Sequence, residues 1–500
     1  MSMAVDKQLS ERAMALIDAP RLLIGGRWDT GGGEEIIAVD PTTESEVGRL
    51  SGADEAQIGA AIGAARRAFD EGAWPRLGPR DRSLLLHRAV EALASHRDAL
   101  IEILVAETGC PLAVTQSLQV DAMLEHLAWF AEAAARGPRD GFEQALPPHP
   151  GPPPSASLLV REPIGVVAAL TPYNIPLLTA VWKVGAALAA GCTAILAPSP
   201  RAALTSLAWV RAFTEAEFPP GSVSFLVGDA RVGRELSESP LVDMVTFTGS
   251  NAVGRQVVNQ AAGNFKRVVL ELGGKSPNVL LPGADVEAAV APSVLRFCRN
   301  AGQACGATTR TFVHQDDYER FAASARDFFA DIPIGDPRSL ETVVGPLITA
   351  EHRGRVEGYV ERAVDQGAGI IAGGDRRLPA SGWFMGPLLI GGVDNGAEIS
   401  REELFGPVGV LIPYRTVEEA LSMANDSRYG LNANVWARTD AEALAAARRI
   451  RSGTVTINGG GALRPDAPFG GYRESGIGRE AADAGFGEFF EVKQLQWPLR

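Results

Sequence analysis

The apolar and polar positions of the chain change from an alternating to a helical pattern within its first third. In the segment Leu22–Leu50, apolar and polar residues alternate between Gly and Pro-Thr turn signals, which predicts short hairpin strands. In the segment Asp54–Arg136, apolar residues recur at i, i+3 and i+4, which predicts helices. One of them is predicted as a single helix over Asp81–Gly109, ended by Gly109 and then Pro111. We expect these helices to be scaffold, because nothing in them requires chemistry.

Short apolar strands alternate with helical segments from Gly165 to Ser250. This alternation predicts an α/β fold whose parallel sheet is covered on both faces, and such sheets bind ligands at the carboxyl ends of their strands. A second α/β run follows, and the Gly-rich stretch after Asn458 predicts a long irregular loop before a terminal strand. The Pro-rich segment Pro147–Pro154 fits either a linker or an extended arm.

Length and charge narrow the class of protein. A chain of 500 residues predicts two or three domains. Its net charge of −13 argues against a nucleic-acid binder or a binder of anionic membranes, since both need a basic face. The N-terminal segment mixes charges with apolar residues, so no secretory signal is expected. The uncharged segment Pro163–Trp182 is long enough to span a membrane, but two prolines interrupt it, and a buried strand, a loop and a helix explain it better.

The cysteines and histidines limit the metal and redox chemistry. Cys110, Cys192, Cys298 and Cys305 are too few for a disulfide framework, so a reducing compartment, the cytoplasm, is the expected location. No two histidines have HxxxH spacing and no CxxC occurs. No metal site is therefore predicted.

Glu271 and Cys305 are the residues around which the candidate chemistry is arranged. Glu271 ends an apolar strand, where burial would raise its pKa toward the range of a general base. Cys305 lies in the loop NAGQACGATTR beyond a helical segment, so the two side chains can meet only through tertiary folding. Glu271 fits a solvated capping carboxylate as well, and Cys305 fits a small buried hydrophobe. No histidine is close in sequence to lower the thiol pKa, which argues against a Cys–His pair.

Two further loops offer polar groups. Asn174, in TPYNIPL, lies between prolines that stiffen the loop, so its amide suits an oxyanion, or it simply forms a turn. Gly249 and Ser250 stand where a strand leads into a helix, and there backbone N–H groups favour a phosphate. The spacing from Gly249 to Gly254 is GxxxxG rather than GxGxxG, so an ordinary turn explains this motif as well.

Six motifs occur in a fixed order along the chain: TPYNIPL, FTGSNAVG, ELGGKSPN, GQAC, EELFGPV and PFGGYRESGIGRE. Through them the chain resembles the NAD(P)-dependent aldehyde dehydrogenase superfamily, of the hydrolytic, non-acylating type, over nearly its whole length. The resemblance implies an α/β, aldehyde dehydrogenase-like fold with a Rossmann-like cofactor domain, an α/β catalytic domain and a small β oligomerisation arm. The implied dinucleotide-binding domain covers 1–137 and 162–270, and the catalytic domain covers 271–482. The segments 138–161 and 483–500 are the arm and terminal strand, which contact a partner subunit in a dimer or tetramer.

The resemblance also implies the roles of the matching residues. Cys305 attacks the aldehyde to form a thiohemiacetal, whose oxyanion the Asn174 amide and the Cys305 N–H hold. Hydride transfer to the nicotinamide leaves a thioester, and water activated by Glu271 hydrolyses it. Lys183 is implied near the active site. The residues implied at the cofactor are Thr171, Pro172, Ala197, Ser199, Gly249, Ser250, Gly254, Leu272, Glu403 and Phe405.

The adenosine end departs from the family pattern. The family usually carries KPSE or a close variant, in which Lys and often Glu hold the ribose hydroxyls. This chain has APSP, with Ala197 and Pro200 at those positions. The missing Glu removes an obstacle to a 2′-phosphate, but no cationic residue replaces it within the motif, and Arg201 is adjacent. NAD is the expected cofactor, and NADP is the alternative.

The substrate walls implied by the resemblance are mostly apolar, so a hydrophobic or aromatic aldehyde is expected. Arg299 either attracts an acidic group of the substrate or forms a structural ion pair. The implied wall residues are Leu178, Trp182, Arg299, Ala304, Gly306, Leu463 and Phe469.

Three alternatives stay open from the sequence. A coenzyme A-acylating relative would pass the thioester to a thiol, but the presence of Glu271 favours water. A thiol esterase would hydrolyse esters without a dinucleotide. A non-catalytic ligand-binding member of the fold would be expected to lose Cys305 or Glu271, and both are present.

Overall fold

The computed structural model describes residues 9–18, 21–374, 377–461 and 463–500. The strands of these residues, in chain order, are β1 (Leu22–Ile24), β2 (Arg27–Asp29), β3 (Glu35–Val39), β4 (Glu46–Ser51), β5 (Glu143–His149), β6 (Ser155–Pro163), β7 (Val166–Thr171), β8 (Thr193–Pro198), β9 (Val223–Phe225), β10 (Met244–Thr248), β11 (Arg267–Glu271), β12 (Pro277–Leu280), β13 (Arg310–His314), β14 (Gly369–Gly373), β15 (Leu388–Gly391), β16 (Val408–Tyr414), β17 (Asn432–Trp436), β18 (Thr454–Ile457), β19 (Gly476–Ile477) and β20 (Phe490–Pro498). The helices are α1 (Glu11–Ile17), α2 (Glu55–Asp70), α3 (Pro79–Ser95), α4 (Arg97–Thr108), α5 (Leu112–Val114), α6 (Ala122–Arg136), α7 (Pro176–Ala180), α8 (Ala186–Ala190), α9 (Ala203–Glu215), α10 (Ala230–Glu238), α11 (Asn251–Ala261), α12 (Val286–Cys298), α13 (Tyr318–Asp331), α14 (Ala350–Asp365), α15 (Glu398–Arg401), α16 (Val417–Asn425), α17 (Asp440–Ala447) and α18 (Ala482–Gly487).

The larger sheet has the strand order β19-β11-β10-β7-β8-β9-β1-β2. Its five central strands, β11 to β9 in this order, are parallel, whereas β19 and β1 join them antiparallel. All residues of β7, β8 and β10 are buried, because helices cover both faces of a parallel sheet. The predicted α/β fold with a parallel sheet is therefore confirmed.

A second sheet, β14-β15-β16-β13-β12-β17-β18, follows in the chain. Each sheet has a hydrophobic core of its own, the first drawn from residues 13–272 and 481–490 and the second from residues 279–450. β19 belongs to the segment predicted as catalytic domain, yet it pairs with β11 of the first sheet. The division into domains stays a prediction, with this strand crossing its boundary.

The third sheet, β20-β6-β5, contains strands from the two segments predicted as the arm and the terminal strand. β20 pairs antiparallel with β6 from Phe490 opposite Pro163 to Pro498 opposite Ser155. The Pro-rich segment Pro147–Pro154 contains the end of β5 and the turn into β6, so it is part of this sheet and not a linker. The terminal strand, expected to contact a partner subunit, pairs here within its own chain, and its other edge has no strand partner among the described residues.

The predicted helix over Asp81–Gly109 is two helices, α3 and α4, so this prediction is wrong at its centre. The chain leaves the helix at His96, with φ −98° and ψ 8°. Ser95 Oγ donates to the carbonyl oxygen of Ala92 at 2.8 Å, and such a local bond competes with the helical pattern. The predicted end is correct, since Gly109 caps α4 with φ 68°.

The uncharged segment Pro163–Trp182 contains β7, a turn and α7, as predicted. No helix in the described part of the chain is long and apolar enough to cross a membrane. All four cysteines are free. Among the described residues, no group of three or more His, Cys, Asp or Glu side chains could hold a metal ion.

Candidate active site

A cavity of about 1000 Å³ lies at the carboxyl ends of the central parallel strands. An open parallel α/β sheet binds its ligands at this edge, because the loops that follow the strands diverge there. The cavity therefore lies where the strand pattern predicted a ligand site. The strand-terminal residues that line it are Thr171 of β7, Pro198 of β8, Thr248 of β10 and Glu271 of β11.

Cys305 lines this cavity from a turn that follows α12. The backbone before it is left-handed at three successive residues, Asn300, Ala301 and Gly302, with φ of 53°, 51° and 73°. Gly302 must lack a side chain, because a Cβ there would lie 2.1 Å from the carbonyl oxygen of Gly406. Within the described chain, the Cys305 N–H has no hydrogen-bond acceptor. The turn thus combines a thiol on the cavity wall with an unused N–H donor.

The surroundings of Cys305 keep its thiol protonated at rest. Burial raises the pKa of the thiol well above its usual range, and the Glu271 and Glu403 carboxylates raise it further, while the N–H of Gly306 opposes them. The thiolate is the reactive form of a cysteine. To react as a thiolate, this residue therefore needs a base that accepts its proton. Glu271 is the carboxylate that raises the pKa of the Cys305 thiol most.

Glu271 is 1% exposed at the end of β11. Neither of its carboxylate oxygens has a hydrogen-bond partner among the described residues. Burial raises the pKa of this carboxyl well above its usual range and Glu480 raises it further, whereas Lys183 and the Cys305 thiol lower it. A carboxyl with a raised pKa suits a general base near neutral pH. Because both oxygens are unpaired, either of them can accept a proton from a thiol or from water.

A buried ion pair, Lys183 with Glu480, lies close enough to Glu271 to shift its pKa. Lys183, in the π-helical turn between α7 and α8, donates through Nζ to Oε1 of Glu480 and to Oγ1 of Thr246, the latter at 3.1 Å. Lys183 is 0% and Glu480 3% exposed. The resemblance implied Lys183, but Glu480 had no predicted role, although it ends the quoted motif PFGGYRESGIGRE. A carboxylate that pairs across 297 positions leaves no local signal in the sequence.

Asn174 is buried in a fixed orientation beside the cavity. Its Nδ2 donates to the main-chain oxygen of Gln303 at 2.9 Å, and its own main-chain oxygen accepts from Nε2 of Gln119 at 2.7 Å. An amide nitrogen carries two N–H donors, so one is left for a ligand. Preorganised donors of this kind stabilise an oxyanion. Sequence reasoning missed Gln303, although it lies within the quoted motif GQAC.

The residues predicted at the cofactor line the cavity, with one exception. Gly254 does not line it; on α11 a Cβ at this position would lie 2.8 Å from Cδ2 of Leu272, so the glycine lets the helix pack closely. The predicted residues that line the cavity are Thr171, Pro172, Ala197, Ser199, Gly249, Ser250, Leu272, Glu403 and Phe405.

The N-terminus of α11 opens onto the cavity. Ser250 caps this helix, and its Oγ accepts from the N–H of Val253 at 3.4 Å. Asn251, Ala252 and Val253 line the cavity as well. Free N–H groups and the positive end of the helix dipole favour an anion here, such as a phosphate.

Glu403 lies at the thiol end of the cavity, since it affects the pKa of Cys305. Its Oε1 accepts from the N–H of Gly274 at 3.0 Å, and burial raises its pKa to about 7. Phe405, with a left-handed φ of 59°, meets the ring of Tyr173 edge-on at 6.2 Å between centroids. These side chains can therefore contact the reactive part of a bound ligand.

The far end of the cavity is lined by Ala197, Ser199, Pro200 and Arg201. Ser199 Oγ accepts from the N–H of Arg201 at 3.3 Å, so this hydroxyl begins the short helical turn that follows β8. Arg201 is exposed, which leaves its guanidinium accessible from solvent.

The residues predicted at the substrate lie outside the lining of this cavity. The Trp182 ring contacts the Phe469 ring at a tilt of 32°, with 5.1 Å between centroids, and Nε1 of Trp182 donates to Nδ1 of the buried His126 at 2.9 Å. Leu178 is buried and Leu463 partly buried, whereas Arg299 is exposed after α12. The structure therefore groups the Trp182 and Phe469 rings, but it leaves the role of these residues a prediction.

The chain is similar to known proteins over nearly its whole length. The aldehyde dehydrogenase family model matches residues 28–495. A 3-succinoylsemialdehyde-pyridine dehydrogenase from Pseudomonas sp is 38% identical over 483 residues, covering 96% of this chain and 98% of the relative. A Mycobacterium tuberculosis aldehyde dehydrogenase complexed with NAD+ is 38% identical, with a TM-score of 0.91 and coverage of 96% and 98%. A mutant of aldehyde dehydrogenase C from Pseudomonas syringae, complexed with NAD+ and octanal, is 35% identical, with a TM-score of 0.90 and coverage of 95% and 96%.

Proposed function

The chain belongs to the aldehyde dehydrogenase family, and from that premise we propose that it oxidises an aldehyde to the carboxylic acid with NAD as the hydride acceptor. The observation that carries the proposal is the meeting of Cys305, Glu271 and Asn174 on one cavity. They come from the end of β11 and from two separate loops, and they supply the nucleophile, the base and the amide donor that acyl-transfer chemistry needs.

The residues around the cavity fit a dinucleotide. The capped N-terminus of α11 suits a pyrophosphate, because its N–H groups are free to bind an anion. The carboxylate of Glu403 suits a ribose hydroxyl as acceptor, and its Gly274 bond keeps it in place. When bound, the nicotinamide supplies the redox chemistry by accepting the hydride. The relatives crystallised with NAD+ support the same cofactor here.

In the first half-reaction, Cys305 forms a bond to the aldehyde carbon. Its thiol proton passes to Glu271 as the sulfur attacks, and the carbonyl oxygen becomes an oxyanion. The free N–H of Asn174 Nδ2 and the N–H of Cys305 hold this oxyanion. Loss of hydride from the same carbon then leaves a thioester on Cys305.

In the second half-reaction, Glu271 acts as a base on water. It first releases the thiol proton to solvent and then takes a proton from a water molecule, whose oxygen bonds to the thioester carbon. The carbon–sulfur bond breaks and the acid is released, and the proton that Glu271 took from water passes to the leaving sulfur, which restores the Cys305 thiol and the Glu271 carboxylate. Because neither oxygen of Glu271 is engaged by another described group, one carboxylate can serve both steps.

We propose an apolar substrate, either aliphatic or aromatic. Trp182 and Phe469, whose ring centroids lie 5.1 Å apart, and the buried Leu178 give the implied substrate positions an apolar character. The octanal complex of the Pseudomonas syringae relative supports a substrate of this class.

We also propose that the arm mediates a homo-oligomer. Ala145, Leu158 and Leu495 stand side by side across β5, β6 and β20, and Trp497 follows on the same face of β20. Leu495 is 45% and Trp497 47% exposed. An apolar row on an open sheet is usually covered by a partner, which also removes the free edge.

The test of the function is the absorbance of reduced nicotinamide. Purified protein is mixed with straight-chain and aromatic aldehydes, with NAD and NADP in parallel. We expect turnover with NAD and the highest kcat/KM for apolar aldehydes, and the NAD to NADP ratio reports whether Arg201 accepts an extra phosphate. The Cys305→Ala variant is expected to form no acid.

Cys298→Ala is the matched control, because it removes a fully buried thiol outside the cavity and is expected to retain turnover. A flat absorbance trace with every aldehyde would refute the proposed oxidation. Turnover that begins only when coenzyme A is added would indicate the acylating alternative instead.

A further inference from the structure

One buried glutamine side chain joins several parts of the active site. Gln303 is 1% exposed. Its Oε1 accepts from the Tyr173 hydroxyl at 3.1 Å and from the N–H of Ile348 at 3.0 Å. Its Nε2 donates to the main-chain oxygens of Asn300 at 3.2 Å and of Pro346 at 3.4 Å. All hydrogen-bonding positions of this amide are therefore used, which fixes its orientation.

The main chain of Gln303 contacts the oxyanion amide directly. Its carbonyl oxygen accepts from Nδ2 of Asn174 at 2.9 Å and from Nδ2 of Asn300 at 3.4 Å. Cys305 follows two positions later. One residue thus sets both the direction of the Asn174 amide and the start of the turn that carries the thiol.

The turn before Cys305 needs such a restraint. Asn300 and Ala301 have left-handed backbones, which cost energy in residues with a side chain and persist only where surrounding contacts enforce them. The bond from Gln303 Nε2 to the Asn300 oxygen spans this left-handed stretch.

Tyr173 connects this amide to the cavity. Its ring lines the cavity and meets Phe405 edge-on, while its hydroxyl points inward to Gln303. Burial raises the pKa of Tyr173, so the hydroxyl stays protonated and remains a donor. Tyr173 and Asn174 are neighbours in one stiff loop, so both ends of the connection move together.

We propose that Gln303 is a positioning residue that holds the Asn174 amide and the Cys305 turn in the geometry needed for the oxyanion, with Tyr173 fixing it from the cavity side. This inference rests on the proposed function for its effect on turnover. Gln303 touches neither the reacting atoms nor the cavity, and it acts through Asn174 and Cys305. Nothing in the motif GQAC by itself distinguishes this role from that of a loop residue.

The expected effect follows from the geometry. Loss of one preorganised oxyanion donor lowers kcat about 10²- to 10³-fold, and a displaced donor approaches that loss. We therefore expect Gln303→Ala to lower kcat about 100-fold while the Kd for NAD changes less than about threefold. Tyr173→Phe removes only the hydroxyl bond, and we expect it to lower kcat about tenfold.

Two measurements that need no turnover accompany the kinetics. The first is the rate at which iodoacetamide alkylates Cys305, followed by mass spectrometry of the Cys305 peptide, and the second is NAD binding by calorimetry. We expect the alkylation rate to change at least about threefold in Gln303→Ala. Gln366→Ala, an exposed glutamine at the end of α14, is the matched control and should match the wild type.

The outcomes separate the inference from the proposed function. If the wild type oxidises no aldehyde, the proposed function fails, yet a changed alkylation rate in Gln303→Ala would still support the positioning role. If Gln303→Ala and Tyr173→Phe both keep the kcat and the Cys305 alkylation rate of the wild type, the inference is overturned. A loss of kcat that matches the fraction of unfolded protein would also overturn the inference, because a merely structural residue would behave in that way. Tyr173→Phe keeps the aromatic ring and removes only the hydroxyl bond, so it tests the positioning role with little risk of unfolding.

Discussion

Removing the Lys183 ammonium leaves the Glu480 carboxylate buried without its cation. Lys183 is 0% and Glu480 3% exposed, and Oε2 of Glu480 has no hydrogen-bond partner among the described residues. We choose Lys183→Met, because the methionine chain fills most of the same space. The change therefore removes the charge and one donor to Thr246 while leaving the packing nearly intact.

The cost to stability is estimated from this burial. Removing one partner of a buried ion pair costs about 3–5 kcal/mol, because the remaining charge is unpaired in a medium of low polarity. For a unit of roughly 150–250 residues, each kcal/mol moves the unfolding midpoint by about 2–4 °C. We therefore expect the midpoint of Lys183→Met to fall by about 6–20 °C. The double variant Lys183→Met/Glu480→Leu should recover most of this loss, since an apolar pair of similar volume is often neutral.

The same change acts on Glu271, the proposed base. The Lys183 ammonium lowers the pKa of Glu271, while burial and then Glu480 raise it. In Lys183→Met the pKa of Glu271 rises further, so the carboxylate form appears only at higher pH. The acidic limb of the pH profile for thioester hydrolysis should move to higher pH, and Glu480→Gln should move it to lower pH.

The assay combines thermal unfolding followed by circular dichroism with steady-state rates across pH. The control is Arg449→Met, which breaks an exposed ion pair with Glu418 and should leave the unfolding midpoint nearly unchanged, because solvent screens the two charges. A Lys183→Met midpoint equal to that of the control would refute the reasoning about burial. An acidic limb that moves to lower pH in Lys183→Met would refute the reasoning about Glu271.

Three further outcomes are expected. Glu271→Gln should slow the burst of reduced nicotinamide in stopped flow and lower the steady-state rate about 10²- to 10⁴-fold, since general bases contribute that much and Glu271 serves both half-reactions; a burst at the wild-type rate would contradict its role as acceptor of the thiol proton. Burial lowers the pKa of His126 from 6.5 to about 4. Between these pH values the unfolded chain binds the proton more readily than the folded chain, so the free energy of unfolding should fall by up to roughly 3 kcal/mol as the pH drops through this range. His126→Gln keeps an acceptor for Trp182 and should flatten this acid loss in midpoint-against-pH curves, and unchanged curves would contradict the assignment. Trp497→Lys should lower the molar mass measured by light scattering, whereas an unchanged mass would argue against the arm as the interface.

Much of the fold was predictable because its signals are local. The buried apolar strands β7, β8 and β10 were recognised by their composition, since a strand covered on both faces has no polar position. The end of α4 at Gly109 follows from a residue that adopts a positive φ at little cost. The break at His96 was missed, because the apolar period continues across it and only a serine side chain competes with the helix.

The sequence by itself determined the strand and helix pattern, the motifs that identify the family, and the candidates Cys305, Glu271 and Asn174. Only the tertiary structure decided what surrounds them. The register of β10 against β11 places Glu271 beside Thr248 at the cavity edge. The return of β19 to the first sheet, where it pairs with β11, brings Glu480 to Lys183, which is 297 positions away in the sequence. Contacts of this kind depend on how sheets and loops pack, so no local pattern carries them. They set the pKa of Glu271, the proposed base, and the direction of the Asn174 amide, the proposed oxyanion donor.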